Sequence, residues 1–327
     1  MITYPNVKVN MGLSVLRKRS DGYHDIETLF VPYHGIHDTL EIISGDDFSR
    51  TSAALFEKYS KPSSGGVQPR KTSCCAGPPP SKLGSPPLTM PRVARISEVG
   101  TSGTAAQIVQ GIREDGKVMV TIARAEGVDW DPLGDLTVKA YGLLDGEFGL
   151  QPVKIFLEKT APVGAGLGGG SADAAFALKM LSELFALGLD DAALAAYAAR
   201  LGSDCAFFVH NRPMLGTGRG EVLEPYDIDL SDYELRVSVP EGVHVGTADA
   251  YRGIVPREAA GSRALPLREA LSRPVAEWRG LLVNDFETTV FAKYPAVAAA
   301  KQALYDEGAV YASMSGSGSA VYGLFPR

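Results

Sequence analysis

The chain has 327 residues, of which 45% are hydrophobic and 21% are charged, and its formal net charge is −6. This composition excludes global disorder and suffices for two domains of about 100–200 residues each. The negative charge argues against a broad nucleic-acid surface, and no apolar run reaches the ~18 residues that a membrane helix needs. Three cysteines cannot form the disulfide framework of a secreted protein, and there is no CxxC pair to indicate structural zinc. We therefore expect a cytoplasmic protein without a targeting segment and without nucleic-acid or membrane partners.

The first 43 residues predict an antiparallel β-unit. β-Branched residues with near-alternating polarity favour strands over 2–10 and 12–16. The tetrapeptide Arg19-Ser20-Asp21-Gly22 is typical of a tight turn, so 26–32 and 38–43 are predicted as returning strands.

The stretch Ser49–Lys117 differs from the rest of the chain. It carries ten basic and four acidic residues, a net charge of +6, and it holds eight of the 21 prolines. No periodicity persists in it beyond a short apolar patch near Ile108, and its proline and glycine content would interrupt most elements. We predict an insertion of low order. A folded lid and a segment foreign to the coding sequence are the alternatives.

Regular patterns resume after residue 117. Asp135 is the predicted N-cap of a helix over 135–144, and the strict alternation of Val153–Lys159 predicts a strand. Apolar residues at spacings of three and four predict a helix from about Ser171 to before Gly188. The other predicted elements are strands over 118–123, 205–209 and 236–239, helices over 190–201, 248–251 and 294–307, and a final strand before Phe325. This mixture without strict βαβ alternation favours an α+β fold.

Five glycines between Gly164 and Gly170 separate a predicted strand from a predicted helix. Without Cβ atoms, the backbone N–H groups of such a loop can approach a ligand closely, and the helix start adds the positive end of its dipole. The pattern predicts a site for nucleotide phosphates. The absence of a Walker lysine excludes a P-loop, and the spacing Gly164-x-Gly166-x-x-Gly169 is a weak indication of a dinucleotide-binding dehydrogenase. A tight turn without a ligand is the simpler alternative.

The segment PVGAGLGGGSADAA (162–175) resembles the second, ATP-binding motif of the GHMP small-molecule kinase superfamily. PNVKVN (5–10) and RSDGYHDIETLF (19–30) are similar to the start of the branch that phosphorylates a cytidine diphosphate-linked methylerythritol. The segments that follow in the expected order are LGSDCAFFV (201–209), GRGEVLEP (218–225), LLVNDFE (281–287) and MSGSGSAV (314–321). The resemblance covers the chain except 49–117, and DGYH is its most specific part.

This resemblance implies a two-lobed α+β GHMP fold, with a ribosomal protein S5 domain 2-like N-terminal lobe over 1–212 and a ferredoxin-like α/β C-terminal lobe over 213–327. It implies that ATP, with Mg²⁺, phosphorylates the 2-hydroxyl of the cytidylated substrate in the non-mevalonate route to isoprenoid precursors. The residues expected to bind ATP are Pro162, Val163, Gly164, Ala165, Gly166, Leu167, Gly168, Gly169, Gly170, Ser171 and Ala172.

Lys8 and Asp204 are the expected catalytic residues. Asp204 lies between a Gly-Ser turn and an apolar run, a setting that can hold a carboxylate near a substrate hydroxyl as general base. Lys8 lies in an otherwise apolar strand, where an ammonium requires an anionic partner. The resemblance implies that Lys8 keeps Asp204 ionised and supports the transferring phosphoryl group. From residue type alone, an Asp204 that caps a helix and a Lys8 that extends to water are simpler alternatives.

Three further side chains are expected to bind substrate. Asn10 can hydrogen-bond a substrate hydroxyl, and the resemblance assigns Tyr23 and His24 to the cytosine, by stacking and by hydrogen bonding. A Tyr-His pair after a turn is otherwise often ordinary surface. Ser171 is a candidate to bind phosphate or Mg²⁺, or to cap the helix.

Gly316 and Gly318 are expected to let the last loop pack against the substrate end of the cleft, or simply to form a hairpin turn. The expected partner is the small-molecule substrate, and the chain is expected to be a monomer or a weak homodimer. Two other functions stay open: a GHMP kinase for mevalonate-like or homoserine-like substrates, and an inactive relative disrupted by the insertion.

Overall fold

A computed structural model describes residues 1–45, 107–261 and 265–327, which form three β-sheets and the helices packed on them. The strands are β1 (Ile2–Thr3), β2 (Asn6–Lys18), β3 (His24–His37), β4 (Thr39–Ser44), β5 (Ile108–Ile112), β6 (Val118–Arg124), β7 (Val153–Lys159), β8 (Met214–Thr217), β9 (Val222–Pro225), β10 (Tyr233–Ser238), β11 (Tyr311–Met314) and β12 (Val321–Pro326). The α-helices are α1 (Leu136–Phe148), α2 (Gly169–Leu184), α3 (Asp191–Leu201), α4 (Cys205–His210), α5 (Thr247–Tyr251), α6 (Arg257–Ala260), α7 (Leu267–Leu271), α8 (Glu287–Lys293) and α9 (Pro295–Asp306).

The largest sheet has five strands in the order β1-β4-β7-β6-β5, in which β6 and β7 are parallel and the other neighbours are antiparallel. Val153, Ile155 and Leu157 of β7 share one apolar core with helices α1 to α4. Helix α2 contributes four buried alanines to that core, and their small side chains allow the helix to lie close to its neighbours. The glycine-rich loop therefore runs from the end of a buried strand to the start of a buried helix.

A second, antiparallel sheet has the order β2-β3-β8-β9, and a third has the order β10-β12-β11. Ten of the 13 residues of β2 are buried. One edge of β2 pairs with β3, and on the other edge Lys8 N–H donates to Leu167 O while Leu13 N–H donates to Val283 O. Strand β8 pairs with β3, and β9 pairs with β8, although both strands follow residue 212. The division of the chain at 212 stays a prediction.

The structure confirms the strand over 153–159 and the N-cap at Asp135, whose carboxylate accepts a hydrogen bond from Thr137 N–H. The strand predicted over 205–209 is wrong, because these residues form helix α4. A short continuous apolar run fits a buried helix as well as a buried strand. Here all five residues are buried, since α2 and α3 both pack against them.

The insertion predicted over 49–117 lies largely outside the described residues. For its last eleven residues, 107–117, the prediction of low order is wrong. Ile108–Ile112 forms β5, which pairs antiparallel with β6 at the edge of the large sheet. Arg113 and Lys117 each lie 2.7 Å from the Asp145 carboxylate of α1. The apolar patch near Ile108 was therefore an edge strand held by flanking charges.

Two glycine-containing loops pack directly on each other. The first, 160–168, joins β7 to α2, and the second, 315–320, joins β11 to β12. Ala320 N–H donates to Ala165 O at 3.0 Å, and a Cβ added to Gly166 would lie 2.3 Å from Ser315 O. Because Gly166 also has a φ of +78°, this position requires glycine.

We predict that Gly166→Ala lowers the free energy of unfolding by roughly 2–4 kcal/mol, through backbone strain and overlap with Ser315. Urea-induced unfolding measures the change. Gly146→Ala is the matched control, because Gly146 is exposed within α1 and its added Cβ has no neighbour within 4 Å. The control should gain up to ~1 kcal/mol from helix propensity. Equal stability of the two variants would contradict the close contact between the loops.

Candidate active site

Lys8 is buried in β2, where only 3% of the residue is exposed. Its Nζ donates to Asn10 Oδ1 at 2.5 Å and to Gly166 O at 2.9 Å, and it lies 3.4 Å from Asp204 Oδ2. The structure therefore brings together the two residues expected to be catalytic. Lys8 does not extend to water.

Asp204 is more open to solvent, with 29% of its side chain exposed. It occupies the N-cap position of α4, but its side chain makes no capping hydrogen bond, so the capping interpretation is wrong. Its carboxylate instead has an ammonium neighbour on one side and solvent on another. A carboxylate in this setting can accept a proton from a bound hydroxyl.

The glycine-rich loop has the geometry of an anion site. Gly164, Gly166 and Gly168 all have φ between +72° and +78°, and Gly168 is the N-cap of α2. Ser171 consequently lies inside the first turn and does not cap the helix. The N–H groups of that first turn have no acceptor within the helix, and the dipole of this 16-residue helix favours a negative ligand there.

The expected nucleotide-binding residues differ in how they can reach a ligand. Ala165, Leu167 and Ala172 are buried in the protein, so only their backbone atoms could contact a nucleotide. Pro162 is half-buried, and Val163 is exposed. The remaining expected residues, Gly164, Gly166, Gly168, Gly169, Gly170 and Ser171, are all at least partly exposed.

Beneath the loop lies a buried ion cluster that sequence reasoning missed. Lys159 Nζ contacts the Asp38 carboxylate and lies 2.5 Å from Asp173 Oδ2, and all three side chains are at most 4% exposed. Asp38 Oδ1 also accepts hydrogen bonds from Thr160 N–H and Ala161 N–H. Burial raises the pKa of Asp173 well above its usual range, although Lys159 opposes this shift. The cluster holds both ends of the loop, because Asp173 belongs to α2 and Thr160 follows β7.

Asn10 lies beside Lys8 and is 2% exposed. Its Oδ1 accepts from Lys8 Nζ, and its Nδ2 donates to Thr28 Oγ1 at 3.1 Å. Both polar ends of this side chain are therefore engaged within the protein, and Asn10 orients the lysine. Ser315 Oγ accepts a hydrogen bond from the Asn10 backbone N–H, which ties β2 to the last glycine loop.

His24 lines a cleft of about 710 Å³ together with Tyr251 and Pro256. The His24 and Tyr251 rings are stacked, with centroids 4.8 Å apart and planes at 21°. Tyr23, by contrast, is 57% exposed, and the Arg219 guanidinium lies 5.1 Å from its ring centroid. The sequence predicted the short helix over 248–251 but no role for Tyr251. Its contact with His24 joins residues that are far apart in the sequence.

Two shifts in pKa describe the electrostatics of this cleft. Burial, followed by the charge of Lys18, lowers the pKa of His24, so its imidazole is neutral at pH 7 and offers one donor and one acceptor. Burial, followed by the negative charge of Asp204, raises the pKa of Tyr251. Asp204 therefore lies within electrostatic reach of the cleft.

Within the described ranges, no group of three or more His, Cys, Asp or Glu side chains is arranged to hold a metal ion. Over the same part of the chain, no helix is both long and apolar enough to cross a membrane.

Comparison with known proteins places this geometry in a family. The model of the GHMP kinases N terminal domain matches residues 135–212, and that of the GHMP kinases C terminal domain matches residues 267–327. A 4-diphosphocytidyl-2-C-methyl-D-erythritol kinase from Bacteroides thetaiotaomicron is 40% identical over 325 residues, which are 99% of this chain and 92% of the relative. A protein of the same name from Cytophaga hutchinsonii is 37% identical, with the same coverage of both chains.

Solved structures agree with this relationship. A crystal structure of 4-(cytidine 5′-diphospho)-2C-methyl-D-erythritol kinase matches with a TM-score of 0.63 and 26% identity, over 99% of this chain and 90% of the other. A mevalonate kinase matches with a TM-score of 0.56 and 9% identity, over 99% and 91%, which indicates a shared fold. The expected α+β GHMP fold is confirmed. From these similarities over nearly whole chains, it follows that the protein belongs to the 4-diphosphocytidyl-2-C-methyl-D-erythritol kinase family of GHMP kinases.

Proposed function

We propose that the protein transfers the γ-phosphoryl group of ATP to the 2-hydroxyl of 4-diphosphocytidyl-2-C-methyl-D-erythritol, in the non-mevalonate supply of isoprenoid precursors. The observation that carries this proposal is the Lys8–Asp204 pair, which contacts the glycine-rich loop through Gly166 and lies within electrostatic reach of the His24–Tyr251 cleft. Family membership supports both the nucleotide and the acceptor.

In this mechanism Asp204 accepts the proton of the substrate hydroxyl as its oxygen attacks the γ-phosphorus, and ADP leaves. The Lys8 ammonium, 3.4 Å from Asp204 Oδ2, favours the negative charge of the transferring phosphoryl group. The loop over 160–168 and the first turn of α2 hold the ATP phosphates through backbone N–H groups. Phosphoryl transfer requires mainly positioning and electrostatic stabilisation, so no covalent enzyme intermediate is needed.

The residues present fit a Mg²⁺ ion that accompanies ATP. Mg²⁺ is usually held by one or two carboxylates together with phosphate oxygens and waters. The Asp204 carboxylate and the Ser171 hydroxyl, both partly exposed, are the donors that this chain could supply. When bound, the ion neutralises charge on the phosphates.

We assign the cytidine end of the substrate to the cleft lined by His24 and Tyr251. A neutral imidazole presents one donor and one acceptor, which suits a pyrimidine edge. Tyr251 offers an aromatic ring already stacked on His24, and Tyr23 lies more exposed, against Arg219. The sugar alcohol would then extend towards Asp204.

The test of the proposed function is ADP release from Mg-ATP with and without 4-diphosphocytidyl-2-C-methyl-D-erythritol. We expect turnover with this substrate and none with methylerythritol phosphate, mevalonate or homoserine, because these lack the cytidine that the cleft recognises. Turnover with mevalonate or homoserine instead would indicate another GHMP kinase. ATP binding without turnover of any substrate would indicate an inactive relative.

Replacing the proposed base tests the mechanism itself. Asp204→Asn should lower kcat by roughly 10²-fold or more, because the amide cannot accept the hydroxyl proton. ATP binding should largely persist, because backbone N–H groups of the loop and of α2 hold the phosphates and an asparagine keeps an oxygen at position 204. Asp227→Asn is the matched control at an exposed position and should retain the wild-type kcat. A near-normal kcat for Asp204→Asn would remove Asp204 from the mechanism.

Removing the nitrogens of His24 tests the cytidine assignment. His24→Phe preserves a flat ring against Tyr251 but loses the donor and the acceptor, so KM for the cytidylated substrate should rise about tenfold while KM for ATP stays unchanged. In the wild type, KM should rise only as the pH falls below the ordinary range of histidine, ~6.5, because burial lowers the pKa of His24. His244→Phe, at an exposed position, is the control. An unchanged substrate KM in His24→Phe would contradict the assignment.

A further inference from the structure

The motif Asn284–Glu287 has no role in the mechanism above, yet it contacts several parts of the site. Asn284 Nδ2 donates to Met314 O and to Gly316 O, both at 2.8 Å, and Glu287 Oε1 accepts from Met314 N–H at 2.8 Å. These contacts fix the motif to the last glycine loop. The motif is therefore fixed to the loop that packs on the glycine-rich loop.

Asp285 uses its carboxylate to join β2 to helix α6. Its Oδ2 accepts from Val15 N–H at 2.8 Å. Arg257 donates through Nε to Oδ2 and through Nη2 to Oδ1, again at 2.8 Å each. The two side chains are 16% and 18% exposed. This is a bidentate ion pair with restricted solvent access, a geometry that fixes both partners in orientation.

The pair matters because α6 is a very short helix. Its four residues form a single turn, which is too short to be stable alone. Pro256, Glu258 and Ala259, the neighbours of Arg257, line the same cleft as His24. The position of this wall consequently depends on the contact between Arg257 and Asp285.

The same motif also supports the other wall of the cleft. The Phe286 ring meets Tyr251 edge-on, with centroids 4.7 Å apart and planes at 79°. Two residues beyond the motif, Thr289 Oγ1 donates to Ala250 O at 2.9 Å, which holds helix α5. One segment thus positions α5 through packing and α6 through charge.

We propose that Arg257 and Asp285 are positioning residues that fix the α6 wall of the cleft and thereby determine affinity for the cytidine end of the substrate. The identity of that ligand rests on the proposed function. Neither residue takes part in phosphoryl transfer. Because Arg257 also lines a neighbouring cavity of about 490 Å³ with Arg17 and Asp25, direct binding of the ligand by Arg257 is the competing role.

Conservative variants separate the two roles. Asp285→Asn keeps an oxygen for Val15 N–H but loses the charge, and Arg257→Lys keeps the charge but loses the bidentate geometry. We expect each variant to raise KM for the cytidylated substrate about tenfold, with kcat and KM for ATP within about twofold of wild type. The double variant should be no worse than either single variant, because the pair acts as one unit.

Calorimetric titration with cytidine 5′-diphosphate provides a readout that does not require turnover. Both variants should bind it about tenfold more weakly than wild type, while their affinity for ATP stays within about twofold of wild type. If the wild type binds this nucleotide but phosphorylates none of the substrates, the proposed function fails while the positioning role is still measured. Arg268→Ala, which removes an ion pair exposed at 47% and 62%, is the control and should bind like wild type.

Three results would overturn the proposal. Weak binding by Arg257→Lys with normal binding by Asp285→Asn would mean that Arg257 contacts the ligand directly. An equal loss of affinity for ATP and for the cytidine nucleotide, with a lower melting temperature, would mean a general structural role. Wild-type protein that does not bind the cytidine nucleotide would remove the cleft assignment itself.

Discussion

The buried ammonium of Lys8 is the constraint on which the arrangement of the site depends. A charge at 3% exposure requires oxygen partners, and Lys8 finds them in Asn10, Gly166 and Asp204. These three belong to β2, to the glycine-rich loop and to the start of α4, so the charge brings three separate segments together. The Lys8 side chain also restricts Gly168, because a Cβ there would lie 3.1 Å from Lys8 Cε and equally close to the Phe208 ring.

Two carboxylates also hold segments around the site. Asp38 accepts two backbone N–H groups at the start of the loop and also pairs with Lys159. Asp285 accepts a backbone N–H from β2 and also pairs with Arg257. In each case one carboxylate satisfies both main-chain donors and a cation. Irregular segments around the site are therefore held by charge-assisted hydrogen bonds, where regular pairing could not hold them.

The sequence predicted those features of the fold that depend on a local pattern of residues. The strand β7, the cap at Asp135 and the glycine loop all have signals within a few residues, and the family resemblance pointed to Lys8 and Asp204. The features that the sequence did not predict depend on contacts between distant parts of the chain. The apolar run that forms α4 is ambiguous until α2 and α3 cover it. Likewise, nothing near Tyr251 in the sequence indicates that its ring stacks on His24.

The edge of β2 has a consequence for the order in which the protein is made. Leu13 and Val15 complete their hydrogen bonds only with Val283 and Asp285, which lie near the other end of the chain. At roughly 5–20 residues per second of synthesis, these partners emerge on the order of tens of seconds after β2. Until then β2 presents an open strand edge, the kind of edge that pairs with other chains. The strand that carries Lys8 is thus among the first parts to be synthesised and among the last to be completed.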